Sequence, residues 1–135
     1  MSAGLEEIRA FMSAEFPQSE FEISSVGDRQ AVVLRRTGER DLRPGGTISG
    51  PTMMAMADTA LYVAILGEIG LVALAVTTSL NFNFLRKPAG DKDLVGRCTL
   101  LKVGRSLIVG EVAMFSEGDE RPVAHAVGTY SVPPG

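Results

Sequence analysis

Pro51-Thr-Met-Met-Ala-Met-Ala-Asp-Thr-Ala-Leu-Tyr-Val-Ala-Ile-Leu66 is apolar almost all round, and Asp58 is the only charged residue between Arg43 and Glu68. The positions one turn from Asp58 are Met54, Ala55, Leu61 and Tyr62, so this stretch offers no polar face for a carboxylate. A helix of this composition belongs inside a protein. An ionised carboxylate buried there is costly unless it is paired or used. Pro51 suits a first helical position, Ser49 or Gly50 the N-cap, and Gly67 and Gly70 the far end. The segment therefore predicts a central helix over 51–66 with Asp58 as the first candidate for chemistry.

Outward from this helix the pattern changes twice. Leu5, Ile8, Phe11, Met12 and Phe16 recur at helical spacing, which predicts an amphipathic helix over 4–15, ended by Pro17 and covering one edge of the fold. Residues 21–25 and 30–36 read as short strands around Gly27-Asp28, and 42–50 as a breaker-rich loop with a flexible Gly45-Gly46 turn. From Ala73 onward the chain alternates in the β manner, with strands expected over 75–85, 93–103, 107–116 and 123–132 as an antiparallel meander. A single α+β domain over 1–135 follows, its antiparallel sheet wrapped around the central α-helix: the hotdog fold.

Size and charge narrow the function. A chain of 135 residues and 14.3 kDa holds one core, and a net charge of -3 without basic blocks argues against nucleic acid as partner. The lone Cys98 excludes an internal disulfide and fits a reducing cytoplasm, where it reads as a small core residue. The amino terminus lacks the basic and apolar regions of a signal peptide, and 51–66 falls short of the roughly 20 residues of a membrane span. The acids and the single His125 lack metal-ligand spacing, and His125 reads as a packed, hydrogen-bonded strand residue.

Ser49-Gly-Pro-Thr-Met-Met-Ala-Met-Ala-Asp-Thr-Ala60, with the strand Ala75 to Ala89 ending in Arg-Lys-Pro-Ala and with Lys102-Val-Gly-Arg105, resembles the hotdog-fold acyl-CoA thioesterases of the phenylacetate-degradation (PaaI) type. The resemblance runs over residues 40–132. It implies that Gly50 offers its N–H to the thioester carbonyl, that Asp58 is general base or nucleophile, and that Thr77 stands beside the attacking water. Two positions depart from the family's pattern: its His-Gly-Gly is here Ser49-Gly50-Pro51, and its asparagine seven residues before the glycine is Arg43.

The residues give independent conditions on that chemistry. Thioester hydrolysis needs an oxyanion donor and a base or nucleophile converging on one carbonyl. A helix start supplies the donor; Pro51 has no N–H, so Gly50 is the candidate and Thr52 the next amide. Eight helical residues separate Gly50 from Asp58 by about 12 Å, too far for one thioester. The site is therefore expected between antiparallel helices of a homodimer, alone or within a homotetramer. A structural Asp58, paired with an arginine such as Arg43 or bonded to backbone N–H groups, is the alternative.

Strand alternation sets Val76, Leu80, Phe82 and Phe84 on one face and Thr77, Ser79, Asn81 and Asn83 on a polar one. Ser49, Met54 and Tyr62 are candidate substrate contacts, with Met53 and Met56 also bounding an acyl group in the helix seam. Arg86, Lys87 and Arg105 could meet the phosphates of coenzyme A, and Arg43, one loop from Gly50, either a phosphate or an acyl carboxylate. The expected function is hydrolysis of an aryl- or short- to medium-chain acyl-CoA, with no cofactor beyond the coenzyme A of the substrate. The competing readings are a non-catalytic acyl-CoA or aromatic-ligand binding protein, and a hotdog enoyl-CoA hydratase, which would want a histidine near the central helix.

Overall fold

The computed structural model describes residues 3–38, 41–72 and 74–133. The outermost residues of the domain expected over 1–135, and Ala73 at the expected onset of the strand pattern, lie outside them. In chain order the elements are α1 (Leu5–Glu15), β1 (Phe21–Gly27), β2 (Gln30–Arg35), β3 (Leu42–Arg43), β4 (Thr47–Ile48), α2 (Gly50–Ile69), β5 (Val76–Phe84), β6 (Leu94–Val103), β7 (Leu107–Ser116) and β8 (Ala124–Ser131).

The cap residues fix α2. Ser49 is extended (φ -69°, ψ 152°) and its hydroxyl accepts the Thr52 N–H, while Gly70 at φ 100° donates its N–H to the Leu66 carbonyl. The helix therefore runs past Leu66 to Ile69, and its 20 residues reach the length that could cross a bilayer. Most of it is instead buried by the sheet, from Met56 through Gly67 on all sides but one.

The six long strands form one antiparallel sheet in the order β1-β2-β6-β7-β8-β5. The last four are not one continuous meander, as their succession suggests. Only β6, β7 and β8 are; β2 already occupies the other edge of β6 (Gln30 opposite Thr99), so β5 pairs with β8 at the far side of the sheet. Residues 85–93 carry the chain back. The 42–50 loop also holds more order than its breakers suggest, because β3 and β4 pair through a turn with Gly45 and Gly46 at φ 102° and 76°.

Close approach of helix and sheet centres on Leu61, which lies over Gly110 and Gly128, a cross-strand pair on β7 and β8. A β-carbon at Gly128 would stand 2.5 Å from Leu61 Cδ1, and one at Gly110 2.7 Å from Leu61 Cδ2. On the other side α1 buries Ile8, and the Arg9 guanidinium donates to the Ile23 carbonyl of β1 at 2.8 Å. Cys98 is buried in β6, and burial, with the Glu111 charge, pushes its thiol up to about 12.

Candidate active site

Asp58 lies on the one face of α2 that the sheet leaves open, a stripe that begins with Pro51, Met54 and Ala55. It is half-buried within its own chain, and its partners are two hydroxyls and no arginine. Thr77 Oγ1 donates to Asp58 Oδ1 at 2.6 Å and the Tyr130 hydroxyl donates to the same oxygen at 2.7 Å. Among the described residues nothing donates to Oδ2. One carboxylate oxygen is thus held twice, and the other keeps its lone pairs for a proton or a carbonyl carbon.

A β-bulge makes this arrangement. The register of β5 on β8 slips between Thr77 and Ser79, so Thr77 pairs with Tyr130 while Leu80, Phe82 and Phe84 pair with Gly128, Ala126 and Ala124. Simple alternation places Thr77 on the outer polar face; the extra residue at Thr78 turns it inward, onto the face of Leu80 and Tyr130, and leaves Val76 more than half exposed. Burial, opposed by a hydrogen bond with Thr77 and helped by the Asp58 charge, raises the Tyr130 hydroxyl well above its ordinary value. Tyr130 therefore stays a protonated donor.

The helix start is held by a second network. Asp41 is buried, and its carboxylate accepts from the Arg35 guanidinium (2.8 Å), the Gly38 N–H (3.0 Å) and the Thr52 hydroxyl (3.4 Å). Burial alone would raise its carboxyl, but these hydrogen bonds and the Arg35 charge hold it below the usual carboxylate value. The Asp41 carbonyl takes the Ser49 N–H at 2.6 Å, and the Ser49 hydroxyl takes the Thr52 N–H at 3.3 Å. Thr52 is thereby removed as a donor, Pro51 has none, and Met53 bonds the Ser49 carbonyl. In the first turn of α2 only the Gly50 N–H is without an acceptor among the described residues.

The expected site residues fall into two cavities of one chain. Gly50, Arg43, Arg86 and Lys87 border one of about 570 Å³ at the helix start. Asp58, Tyr62 and Thr77 border another of about 350 Å³ together with Tyr130, under the end of α1. Arg105 is in neither; it lies in the turn before Leu107, which pairs with Ser131 and hence next to Val76, at the Thr77 end of the sheet. Ser49 spends its hydroxyl on the cap, Met54 is exposed on the open stripe, Met53 is buried but borders the cavity at the helix start, and Met56 is a core residue. His125 is half-exposed and bonds Glu111 on the outer sheet face at 2.9 Å.

The family model of the thioesterase superfamily matches residues 45–123, which include both helix-borne groups and Thr77. The chain belongs to the thioesterase superfamily. The hotdog-fold resemblance is thereby shown, and the protein is a thioester hydrolase by family. A protein from Silicibacter sp. TM1040 that carries a provisional thioesterase name is 43% identical over 99% of this chain and 95% of its own, with a TM-score of 0.90. Zebrafish thioesterase superfamily member 2 (22% identity, 98% and 100% covered, TM-score 0.85) and the E. coli PaaI protein of the phenylacetic acid degradation operon (19%, 96% of each, 0.81) share the fold. No curated protein matches.

Two residues of this thioesterase's site escape a reading of the sequence. Tyr130 carried a faint signal: it ends the inward row Ala124, Ala126, Gly128 on β8, and a buried tyrosine needs a partner for its hydroxyl. Asp41 carried none, because its burial depends on the chain after β2 folding back so that Asp41 meets Arg35 at the end of that strand.

Proposed function

We propose that this thioesterase hydrolyses an aryl- or short- to medium-chain acyl-CoA, with Asp58 activating water or attacking directly and the Gly50 N–H stabilising the oxyanion. The observation that carries this reading is the pairing of an open Asp58 Oδ2, on a carboxylate fixed by two hydroxyls, with a single free amide at a helix start. In the water route Oδ2 takes a proton from water, the hydroxide adds to the thioester carbon, and the carbonyl oxygen becomes an oxyanion facing the Gly50 N–H. Collapse breaks the C–S bond, and the departing thiolate leaves with the proton as free coenzyme A. In the direct route an Asp58 oxygen forms a mixed anhydride and expels the thiolate, and water then cleaves the anhydride.

The two groups sit in separate cavities about 12 Å apart by helical rise. A homodimer with antiparallel α2 helices, alone or paired into a tetramer, brings Asp58 to Gly50 of the partner subunit. The exposed apolar residues Met54, Val76 and Phe84 border the open helix stripe and support burial there. Arg43, Arg86 and Lys87 then flank the coenzyme A moiety at the helix start, and Arg105 approaches it from the second chain. The enzyme is read as cytoplasmic, with no cofactor beyond the substrate's own coenzyme A.

Asp58→Asn is the test. It is expected to lower kcat by roughly 10²–10⁴-fold, the usual worth of a positioned base, with the dimer intact. Wild-type turnover of every accepted acyl-CoA by this variant would refute the reading.

A further inference from the structure

We infer that Asp41 is a positioning residue for the oxyanion donor: through Ser49 and Thr52 it fixes the Ser49–Gly50 peptide and keeps the Gly50 N–H free for the thioester carbonyl. The inference rests on the thioesterase reading above and concerns how that donor is held. It gives the departure at Ser49 a role, since a short hydroxyl there both donates and accepts.

Three observations carry it. The peptide that presents the Gly50 N–H is held at every polar atom of Ser49. The Ser49 N–H donates to the Asp41 carbonyl at 2.6 Å, its carbonyl accepts the Met53 N–H at 3.3 Å, and its hydroxyl accepts the Thr52 N–H at 3.3 Å. A planar amide follows the atoms that flank it, so these bonds set where the Gly50 N–H points.

The hydroxyl protons, secondly, run one way. Asp41 is buried beside Arg35 with its carboxyl below the usual value, and an ionised carboxylate accepts but does not donate. The Thr52 hydroxyl therefore donates to Asp41, across a long 3.4 Å, and the Ser49 hydroxyl donates to Thr52 Oγ1 at 2.9 Å. Ser49 Oγ is thus committed to Thr52 as donor and as acceptor, and does not turn to take the Gly50 N–H. On another side of Gly50 stands the Phe84 ring, 3.2 Å from where a β-carbon would lie, and a ring offers the amide no oxygen.

The anchor, thirdly, is the sheet. Arg35, at the end of β2, holds the Asp41 carboxylate at 2.8 Å, is itself held by Glu20 at 2.8 Å, and lies over the Phe21 ring. Because β2 is paired on both edges, by β1 and β6, the donor is tied to a rigid element. Arg35 also offsets the Asp41 charge, which alone would oppose an oxyanion at the helix start.

The test uses Thr52→Val, which removes the hydroxyl link and keeps the Thr52 N–H, with Thr52→Ser to restore it. Asp41→Asn, with one acceptor oxygen in place of two, is the second break. Each is assayed for kcat and KM on benzoyl-CoA and acetyl-CoA. Each is also measured for its affinity for trifluoroacetonyl-CoA, whose hydrated ketone mimics the tetrahedral adduct, relative to S-propyl-CoA, which has no carbonyl. Thr52→Val and Asp41→Asn are expected to lower kcat and this affinity ratio about tenfold at unchanged KM, short of the roughly 10²–10³ that loss of a whole oxyanion donor costs. Thr52→Ser is expected to restore both. A helix start that matters only for folding would leave the ratio at its wild-type value in both broken variants; that result would overturn the inference and leave the thioesterase reading standing. Equal affinity of the wild type for the two analogues would likewise overturn the inference. No hydrolysis of any acyl-CoA by the wild type would overturn both.

Discussion

Asp58 is informative for its partners more than for its burial. A carboxylate with one oxygen held by Thr77 and Tyr130 and the other open is oriented for reaction. Hydrogen bonds to a charged group contribute roughly 1.5–3 kcal/mol each, so Tyr130→Phe is expected to lower kcat at least tenfold, with little change in KM, in steady-state assays. Thr77→Val acts on the same oxygen, and the double variant should lose less than the product of the two single effects. The sequence marked Asp58 because a lone charge on an apolar helix is visible without a structure. Tyr130 was only faintly legible, as the last residue of the inward row of β8, since the packing of β8 against α2 is what brings its hydroxyl to Asp58. Cys98, buried with its thiol pushed up to about 12, is expected to resist iodoacetamide in the native protein and react only on unfolding.

Among the elements, α2 and β5 decide the site. The long strands β6, β7 and β8 and the caps of α2 were legible because period and punctuation are local. The place of β5 was not, because it is settled by which strand edge is already taken. The bulge at Thr78 was equally hidden: one extra residue reverses the face of Thr77, and no composition signal announces it. The start of α2 depends on Asp41. Its folded carboxyl lies below the unfolded value of about 3.9, so its contribution is present above that pH and is lost as the pH falls through the lower folded value. Asp41→Asn leaves Arg35 paired with Glu20 (2.8 Å) and is expected to destabilise the protein by roughly 1–3 kcal/mol at neutral pH through weakened hydrogen bonds to a buried group, and to reduce the loss of stability below pH 4 in urea titrations. Gly128→Ala drives a methyl group toward Leu61, and overpacking of that kind costs about 1–3 kcal/mol; thermal denaturation reads it directly.

For the whole molecule, the open stripe of α2 and the separation of the two cavities lead to the same conclusion. On the proposed reading, with Asp58 as base and Gly50 as oxyanion donor at two distant points of one helix, a site is completed only with a second copy. Isologous pairing then yields two equivalent sites per dimer. The distance was legible from residue numbers alone, because helical rise is fixed, whereas the exposed Met54, Val76 and Phe84 that border the stripe required the fold.

The central claim, that each site is built from two chains, is tested most directly by subunit mixing. Asp58→Asn lacks the base and Gly50→Pro lacks the amide, so each homodimer should be inactive. Unfolding and refolding an equal mixture makes half the dimers mixed, each with one intact site of its two, so about a quarter of wild-type activity is expected to return. A mixture as inactive as its components, with mixed dimers demonstrated by mass, would contradict the account.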